Sequence, residues 1–335
     1  MSAKFIKIFG LALGTAFLVA LGLVVFWPAP PPPPLPNPNG YDDFLAAEKL
    51  VVRDTLNLYD VKDAELRNAV EQNRAALQAV RQGLTKQCRM PLTNDTQYLS
   101  QGTQNLIELR KLAYQFIGEG KLAEIEGRRA DAVQSYLDAI RFGQEIGRGG
   151  LMTVKSGGIG CETLGLRPLL RLVPQLTPEE SRRLSRALEE IDGKREPSEA
   201  VLKREKAFTR RMGSFLEVTI GQLLLQPMIR ETNRKFQEHA RTGEARLRLL
   251  MTDLAIRQYQ SERGVYPNRL VELVPQFLQA LPRDPFSTNG FIYRTQTNGF
   301  LLYSVGPDGK DHGGTPAAAG SKSGDILSST LGLPP

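Results

Sequence analysis

Residues 302–309 read Leu-Tyr-Ser-Val-Gly-Pro-Asp-Gly, and the interpretation of the C-terminal part of the chain depends on this stretch. Short apolar and aromatic runs at 291–293 and 300–303 are typical of strands, and the polar segment between them predicts a hairpin turn. The second run leads into two glycines that permit a tight turn, with Asp308 between them. A second acid, Asp325, follows a loop rich in Gly, Ser and Ala.

The two aspartates suggest a cation site. Carboxylates and backbone carbonyls on a loop that glycine makes possible are ligands that Ca²⁺ prefers, and Asp308 and Asp325 could supply the carboxylates. The alternative is an ordinary Asp-Gly turn after a strand. The residues alone favour this alternative, because the ligand spacing of an EF-hand loop is absent.

The segment from Leu247 to Ile326 resembles the globular part of the major pseudopilins of type II secretion systems. The shared features are a long helix, Tyr266-Pro267, Asp284-Pro285-Phe286, a Ser-x-Gly-x-Asp-Gly turn at 304–309 and a closing Asp-Ile. The resemblance implies a long helix and a small antiparallel sheet. It covers only the C-terminal part of the chain.

The same resemblance implies a calcium site in the closing loop. Its ligands would be the carboxylates of Asp308 and Asp325 and the backbone carbonyl of Val305. Pseudopilins often carry two adjacent acids before the final Ile, whereas Gly324 occupies the first of these positions here. Asp311 is therefore a candidate for the missing ligand.

Residues 8–27 form an uncharged apolar run of about 20 residues, which is long enough to cross a bilayer as one helix. Lys4 and Lys7 precede it, so the N-terminus is predicted to be cytoplasmic and the bulk of the chain periplasmic. A cleaved signal peptide is the alternative, although its apolar region is usually shorter. The run lacks the glutamate at the start of pseudopilin helices, so polymerisation like that of a pseudopilin is not predicted.

Residues 28–40 contain eight prolines, a composition that favours an extended polyproline II segment. Such a segment is predicted to act as a spacer between the membrane and the folded part of the chain. A binding site for a proline-recognising partner is the alternative.

From residue 41 to 235, apolar side chains recur three and four positions apart, which predicts a mostly α-helical region. Helix breaks are predicted at several positions, including Gly118–Gly120 and Gly157–Gly160. Thr177 followed by Pro178 predicts the start of a helix.

Residues 112–145 resemble one helix pair of a tetratricopeptide repeat. Small residues and one tyrosine fall at the positions where such helices pack closely, namely Gly120, Ala123, Gly127, Ala132, Tyr136 and Ala139. Repeat arrays need about three or more units, and only one is found, so a plain helical hairpin is an equal alternative. A repeat would imply binding of a peptide or protein.

Composition limits the classes of partner and site. The net charge of +7 is spread along the chain, whereas nucleic-acid-binding proteins concentrate their positive charge, so no nucleic-acid partner is predicted. Cys88 and Cys161 could pair in an exported domain or remain free thiols. With His239 and His312 as the only histidines, the common zinc-site spacings are excluded.

No sequence motif of an enzyme is evident. A Gly-x-Ser-x-Gly elbow, a His-Glu-x-x-His pair and a phosphate-binding Gly-Lys-Ser/Thr loop are all absent from the sequence. We therefore predict no catalytic residues and no small-molecule substrate.

These observations predict an α+β protein with four segments. They are a cytoplasmic tip and transmembrane helix at 1–27, a proline-rich spacer at 28–40, a mostly α-helical domain at 41–235, and a pseudopilin-like module at 236–335. The predicted function is a non-enzymatic binding or assembly role at the cell envelope, linked to type II secretion or a pilus-like machine. Its partners would be the lipid bilayer, through residues 8–27, and an envelope protein. The alternatives are a helical scaffold that binds peptides or proteins, and an enzyme of unknown type.

Overall fold

The computed structural model describes residues 31–52, 62–92, 97–212, 224–297, 299–318, 321 and 323–328. The described α-helices are α1 (Gly40–Glu48), α2 (Asp63–Gln72), α3 (Arg74–Leu84), α4 (Gln97–Ile125), α5 (Arg129–Ile146), α6 (Met152–Leu172), α7 (Pro178–Gly193), α8 (Ser198–Met212) and α9 (Gln226–Arg263). Short 3₁₀ helices span Val173–Gln175 and Leu270–Leu273. The strands are β1 (Ile292–Gln296), β2 (Gly299–Ser304) and β3 (Ile326–Leu327).

The predicted α+β fold with an N-terminal transmembrane helix is wrong. Most described residues are helical, and the described strands form a single three-stranded antiparallel sheet. The sheet stays small because the C-terminal segment uses much of its length for α9 and for irregular loops. No helix in the described ranges is both long and apolar enough to cross a membrane. Residues 8–27, where the anchor was predicted, lie outside those ranges.

Two of the predicted helix breaks are also wrong. The helices α4 and α6 continue through Gly118–Gly120 and Gly157–Gly160 without interruption. The glycines instead allow close packing: a Cβ atom on Gly120 would lie 2.3 Å from the ring of Tyr136 on α5. The predicted start of a helix at Thr177 is confirmed. The Thr177 hydroxyl and the Glu180 carboxylate form a capping box at the start of α7.

The first half of the helical region packs around three phenylalanines. Phe44 of α1 and Phe116 of α4 both contact Phe142 of α5, with ring centres 5.1 Å and 6.3 Å away, respectively. All three rings are fully buried. Leu77 and Val80 of α3 belong to the same core, so this helix packs in one layer with α5.

The end of the proline-rich segment lies on this helical region. The Asn39 side chain donates to the Arg89 carbonyl at 2.8 Å and accepts from the Arg89 amide at 2.9 Å. The Arg89 guanidinium in turn donates to the Pro34 carbonyl at 2.7 Å. The part of the predicted spacer that is described is therefore held against the fold.

The long helix α9 belongs to two cores. Leu247 and Leu254 pack with α5, α6 and α7, whereas Leu249 and Ile256 pack against the sheet and the loops that precede it. These side chains are all fully buried. Two apolar stripes on one helix therefore join the helical region to the sheet.

The sheet holds the two ends of the closing loop, residues 305–325 between β2 and β3. The predicted hairpin is present, with Ile292 of β1 opposite Tyr303 of β2. The short strand β3 pairs with the end of β2, placing Ile326 opposite Ser304. The loop between β2 and β3 therefore begins and ends on neighbouring strands, which brings its two ends close together.

Candidate functional site

A cleft of about 910 Å³ opens between α3, α5, the end of α7 and the loop after α3. Most residues that line it are polar or charged, and among them cations outnumber carboxylates by six to three. The cations are Arg81, Lys86, Arg89, Arg141, Arg148 and Lys194, and the carboxylates are Asp138, Glu145 and Glu190. This positive concave surface is called the cationic cleft below.

Arg81 forms a fixed wall of the cationic cleft. Its Nε donates to Asp138 at 2.8 Å, its terminal nitrogens bond to Glu119, and its guanidinium lies 5.2 Å from the ring centre of Phe116. Burial opposes the charge of Arg81, but the hydrogen bonds and charges of the two carboxylates outweigh it and raise the Arg81 pKa. Arg81 therefore stays charged, with its bonds already satisfied.

Several other cations of the cleft are also neutralised within the fold. Lys86 lies 2.7 Å from Asp43, Arg148 lies 2.7 Å from its neighbour Glu145, and Lys194 lies 2.6 Å from Glu190. The positive surplus of the cleft must therefore come from the remaining cations.

With Asp43 and Glu119 counted beside Asp138, Glu145 and Glu190, five carboxylates face the six cations, so the surplus is the single charge of Arg89, and Arg141 has the longest ion pair among the others. Within the described part of the chain, Arg89 has no carboxylate within 4.0 Å, and its guanidinium bonds to the Pro34 carbonyl. Arg141 lies 3.6 Å from Asp138, whose oxygens already accept closer bonds from Arg81 and Gln134. Both guanidiniums are thus available to an anionic group that enters the cleft.

The cysteine beside the cleft is unsuited to nucleophilic chemistry. Cys88 borders the cleft but is only 3% exposed, and burial raises its pKa to about 12. Cys161 is buried as well, with its pKa raised to about 12 by desolvation. Both thiols are free, so the fold contains no disulfide between them. A thiol with so high a pKa stays protonated at neutral pH and is a poor nucleophile.

In the closing loop, Asp325 acts as a hydrogen-bond acceptor. Its carboxylate accepts from the backbone amide of His312 at 3.2 Å and from that of Gly314 at 2.7 Å. Its own amide donates to the Thr315 carbonyl at 2.8 Å. Only 2% of Asp325 is exposed, so a buried carboxylate stabilises the loop through these hydrogen bonds.

Asp308 lies at the other side of the same histidine. One carboxylate oxygen is 2.9 Å from the His312 Nε2, and the other accepts from the Lys310 amide at 3.2 Å. Burial raises the Asp308 pKa, but hydrogen bonds, the largest from His312, outweigh it, so the pKa is lowered overall. His312 therefore bridges the two predicted ligands, Asp308 and Asp325.

The remaining predicted ligands are placed differently. Asp311 accepts from the Tyr303 hydroxyl at 2.8 Å and from the Gly313 amide at 2.7 Å, and these hydrogen bonds lower its pKa. Val305 is buried at the end of β2.

N–H and O–H groups point at the carboxylates of Asp308, Asp311 and Asp325. No group of three or more His, Cys, Asp or Glu side chains converges on one centre in the described residues. Ca²⁺ binding stays a prediction of the resemblance.

None of the protein-family models, curated proteins or solved structures compared with this chain matches it. The likenesses of residues 247–326 to pseudopilins and of residues 112–145 to a tetratricopeptide pair therefore stay predictions.

Replacing Asp325 by asparagine is expected to lower the free energy of unfolding by about 1–3 kcal/mol. Both N–H groups donate to the same carboxylate oxygen, which the asparagine carbonyl can replace, but the bonds then lose their charge, and the NH₂ group takes the place of the oxygen that lies 3.3 Å from the His312 amide. Urea unfolding measures the loss. Asp311→Asn, at a largely exposed position of the same loop, is the matched control and should lose less. Equal losses would show that Asp325 does not fasten the loop.

Sequence reasoning missed the cationic cleft. Arg81, Arg89 and Arg141 come from α3, the loop after it and α5, and no spacing in the sequence relates them. The only signal was the excess of Lys and Arg over Asp and Glu, which does not say where the surplus collects.

Proposed function

We propose that this chain is a non-enzymatic binding protein whose cationic cleft holds an extended, acidic segment of a protein partner. The observation that carries the proposal is a concave surface that holds Arg89, which has no carboxylate within 4.0 Å in the described part of the chain, and Arg141, whose ion pair with Asp138 is long at 3.6 Å. This corresponds to the helical scaffold that the sequence left as an alternative.

The shape and lining of the cleft favour a peptide over a compact small molecule. Most residues that line this cleft are charged or polar in type, with Leu84 and Ile191 among the few apolar ones, and the cleft exposes apolar as well as polar surface. An extended chain presents backbone amides and side chains at every residue, so it can use both kinds of surface along an open cleft. The cleft is open between helices, so such a segment can enter without unfolding the protein.

The charge of the cleft favours glutamate or aspartate side chains on that segment. A guanidinium presents a planar fork of N–H donors that matches a carboxylate, and such charge-assisted bonds are stronger than neutral ones. Arg89 follows α3 and Arg141 lies on α5, and both line the one cleft, so an acidic segment bound there can bond to either guanidinium. Positive potential in a concave surface also speeds the approach of an acidic partner.

The test is the binding of a short fluorescent peptide in which glutamate alternates with alanine, measured by fluorescence anisotropy. The same peptide with glutamine in place of glutamate is the ligand control. The double variant Arg89→Glu with Arg141→Glu is expected to bind the acidic peptide at least roughly tenfold more weakly, because charge-assisted bonds contribute about 1.5–3 kcal/mol each.

A matched protein control separates the cleft from general charge. Lys203→Glu with Lys206→Glu makes the same change in net charge at exposed positions of α8 that do not line the cleft. This variant should bind like the unmodified protein. If both double variants lose the same affinity, or if the glutamine peptide binds as well as the acidic one, the proposal is wrong.

The envelope role linked to type II secretion stays a prediction of the C-terminal resemblance. It rests on α9, the hairpin and the carboxylate-fastened loop, and its predicted periplasmic location rests on residues outside the described ranges. The proposed peptide binding does not depend on either.

A further inference from the structure

A second cavity of the protein has a buried lysine in its wall. The cavity has a volume of about 320 Å³ and lies between α6, the segment that follows α7, the start of α8, and α9. Lys155 of α6 lines this cavity and is only 3% exposed. The described residues that line it differ from those that line the cationic cleft, so it is independent of the proposed peptide binding. It is called the lysine cavity below.

The side-chain nitrogen of Lys155 has no partner within the described ranges, where it makes neither a hydrogen bond nor an ion pair. Two carboxylates that attract its charge are bonded to other residues. The Glu162 carboxylate lies 2.8 Å from the Arg195 guanidinium. The Glu196 carboxylate is paired with Arg204. The Lys155 Nζ is nevertheless not sealed from solvent, unlike the partnerless nitrogens buried elsewhere in the fold, so a small molecule in the lysine cavity can reach it.

The surroundings of Lys155 favour the neutral form of its amine. Burial is the largest effect, and it lowers the Lys155 pKa. The negative charges of Glu162 and Glu196 oppose this shift. The positive charges of Arg195 and Arg148 add to it. More of the amine is therefore neutral near neutral pH than in an exposed lysine, and a neutral amine is a nucleophile, whereas an ammonium group is not.

The charges and apolar walls of the lysine cavity favour an uncharged ligand. Four carboxylates line it, which belong to Asp192, Glu196, Glu199 and Glu244. Three arginines line it as well, namely Arg195, Arg241 and Arg248. With Lys155 neutral, this lining gives an anion no net attraction. Ile159 and Phe236, both almost fully buried, add apolar surface that a short hydrocarbon chain can contact.

We propose that Lys155 binds a small, uncharged aldehyde as a reversible imine in the lysine cavity. The neutral amine attacks the carbonyl carbon, a carbon–nitrogen bond forms, and the carbonyl oxygen leaves as water with the two protons of the amine. The step needs no oxidant or reductant, and water reverses it. The protonated imine is a cation, which the negative charges of Glu162 and Glu196 stabilise as they do the ammonium form.

The test treats the full chain at neutral pH with butanal and cyanoborohydride, which reduces an imine to a stable secondary amine. Mass spectrometry of the digested protein then gives the rate of labelling at each lysine. Lys155 is expected to be labelled at least about tenfold faster than the exposed Lys206, because each unit by which a lysine pKa falls gives about ten times more neutral amine. The ratio of the two rates should fall as the pH rises, since exposed lysines then lose their protons as well.

Three variants test whether the cavity and its amine are responsible. Lys155→Met replaces the amine by an apolar group and should remove the fast label, whereas the matched control Lys206→Met should keep it. Ala240→Leu narrows the lysine cavity from a half-buried position of α9 and should slow the labelling of Lys155 but not that of Lys206. The proposal is overturned if Lys155 is labelled no faster than Lys206, or if Ala240→Leu leaves the labelling of Lys155 unchanged.

Discussion

Replacing Glu162 by glutamine is expected to lower the free energy of unfolding by about 3–5 kcal/mol. Glu162 is 1% exposed and its carboxylate accepts from the Arg195 guanidinium at 2.8 Å, where the Arg195 side chain is only 11% exposed. The change leaves the buried guanidinium of Arg195 without this anion. Breaking a buried pair from one side is among the most destabilising single changes, because the partner stays charged and desolvated.

A second cation makes the expected loss larger. Lys155 is 3% exposed, and burial lowers its pKa, while the negative charge of Glu162 opposes that shift. Without the carboxylate, the lowering is expected to increase. The folded state would then release the Lys155 proton at a lower pH than the unfolded chain does. The unfolded chain binds more protons in that interval, so the variant should regain stability as the pH rises through it.

Urea unfolding at several pH values measures both effects. Glu190→Gln is the matched control, because it removes the same charge from an exposed pair with Lys194 and should change stability by less than about 1 kcal/mol. A loss for Glu162→Gln no larger than that of the control, or a loss that does not shrink at alkaline pH, would contradict the expectation.

Replacing Gly158 by alanine is expected to destabilise the protein by about 2–3 kcal/mol. A Cβ at this position would lie 2.4 Å from the Gly143 carbonyl oxygen, which is backbone of α5 and cannot move aside alone. On the other side of the contact, a Cβ on Gly143 would lie 2.5 Å from the Glu162 amide. The two helices would have to separate, and the packing along their whole contact would loosen.

The same helix provides the control for this change. Gly160 is also inside α6, but a Cβ there would meet nothing within 4 Å. Gly160→Ala should therefore stabilise the protein by about 0.5–1 kcal/mol through helix propensity alone. Changes of opposite sign two positions apart, measured by urea unfolding, would establish close packing as the cause. Changes of the same sign would contradict it.

Local patterns explain what the sequence could predict. The hairpin of β1 and β2, the helix start at Thr177 and the long helix α9 depend on turn residues, a cap and apolar periodicity, all of which act between near neighbours. The glycines at 157–160 were misinterpreted because the sequence looks the same whether a glycine ends a helix or lets a neighbouring helix pack closely against it. Only the position of α5 decides between these two roles.

The closing loop could likewise be predicted only in part from the sequence, and the cationic cleft not at all. Asp308 and Asp325 both bond to His312, and the sequence placed all three residues in the loop that follows the hairpin. Their role as acceptors of N–H bonds could not be predicted, since it depends on where the backbone of residues 310–314 runs. The cationic cleft was wholly unpredictable, because Arg89 comes to face Arg141 only after the helices have packed.

The sharing of α9 between two cores has a mechanical consequence. Leu247 and Leu254 on one face of α9 pack in the helical core, and Leu249 and Ile256 on another face pack against the sheet. Loss of either set of contacts would therefore weaken the helix on which the other set depends. We therefore expect the sheet and the helices that pack on α9 to unfold together, which would appear as a single transition in thermal unfolding.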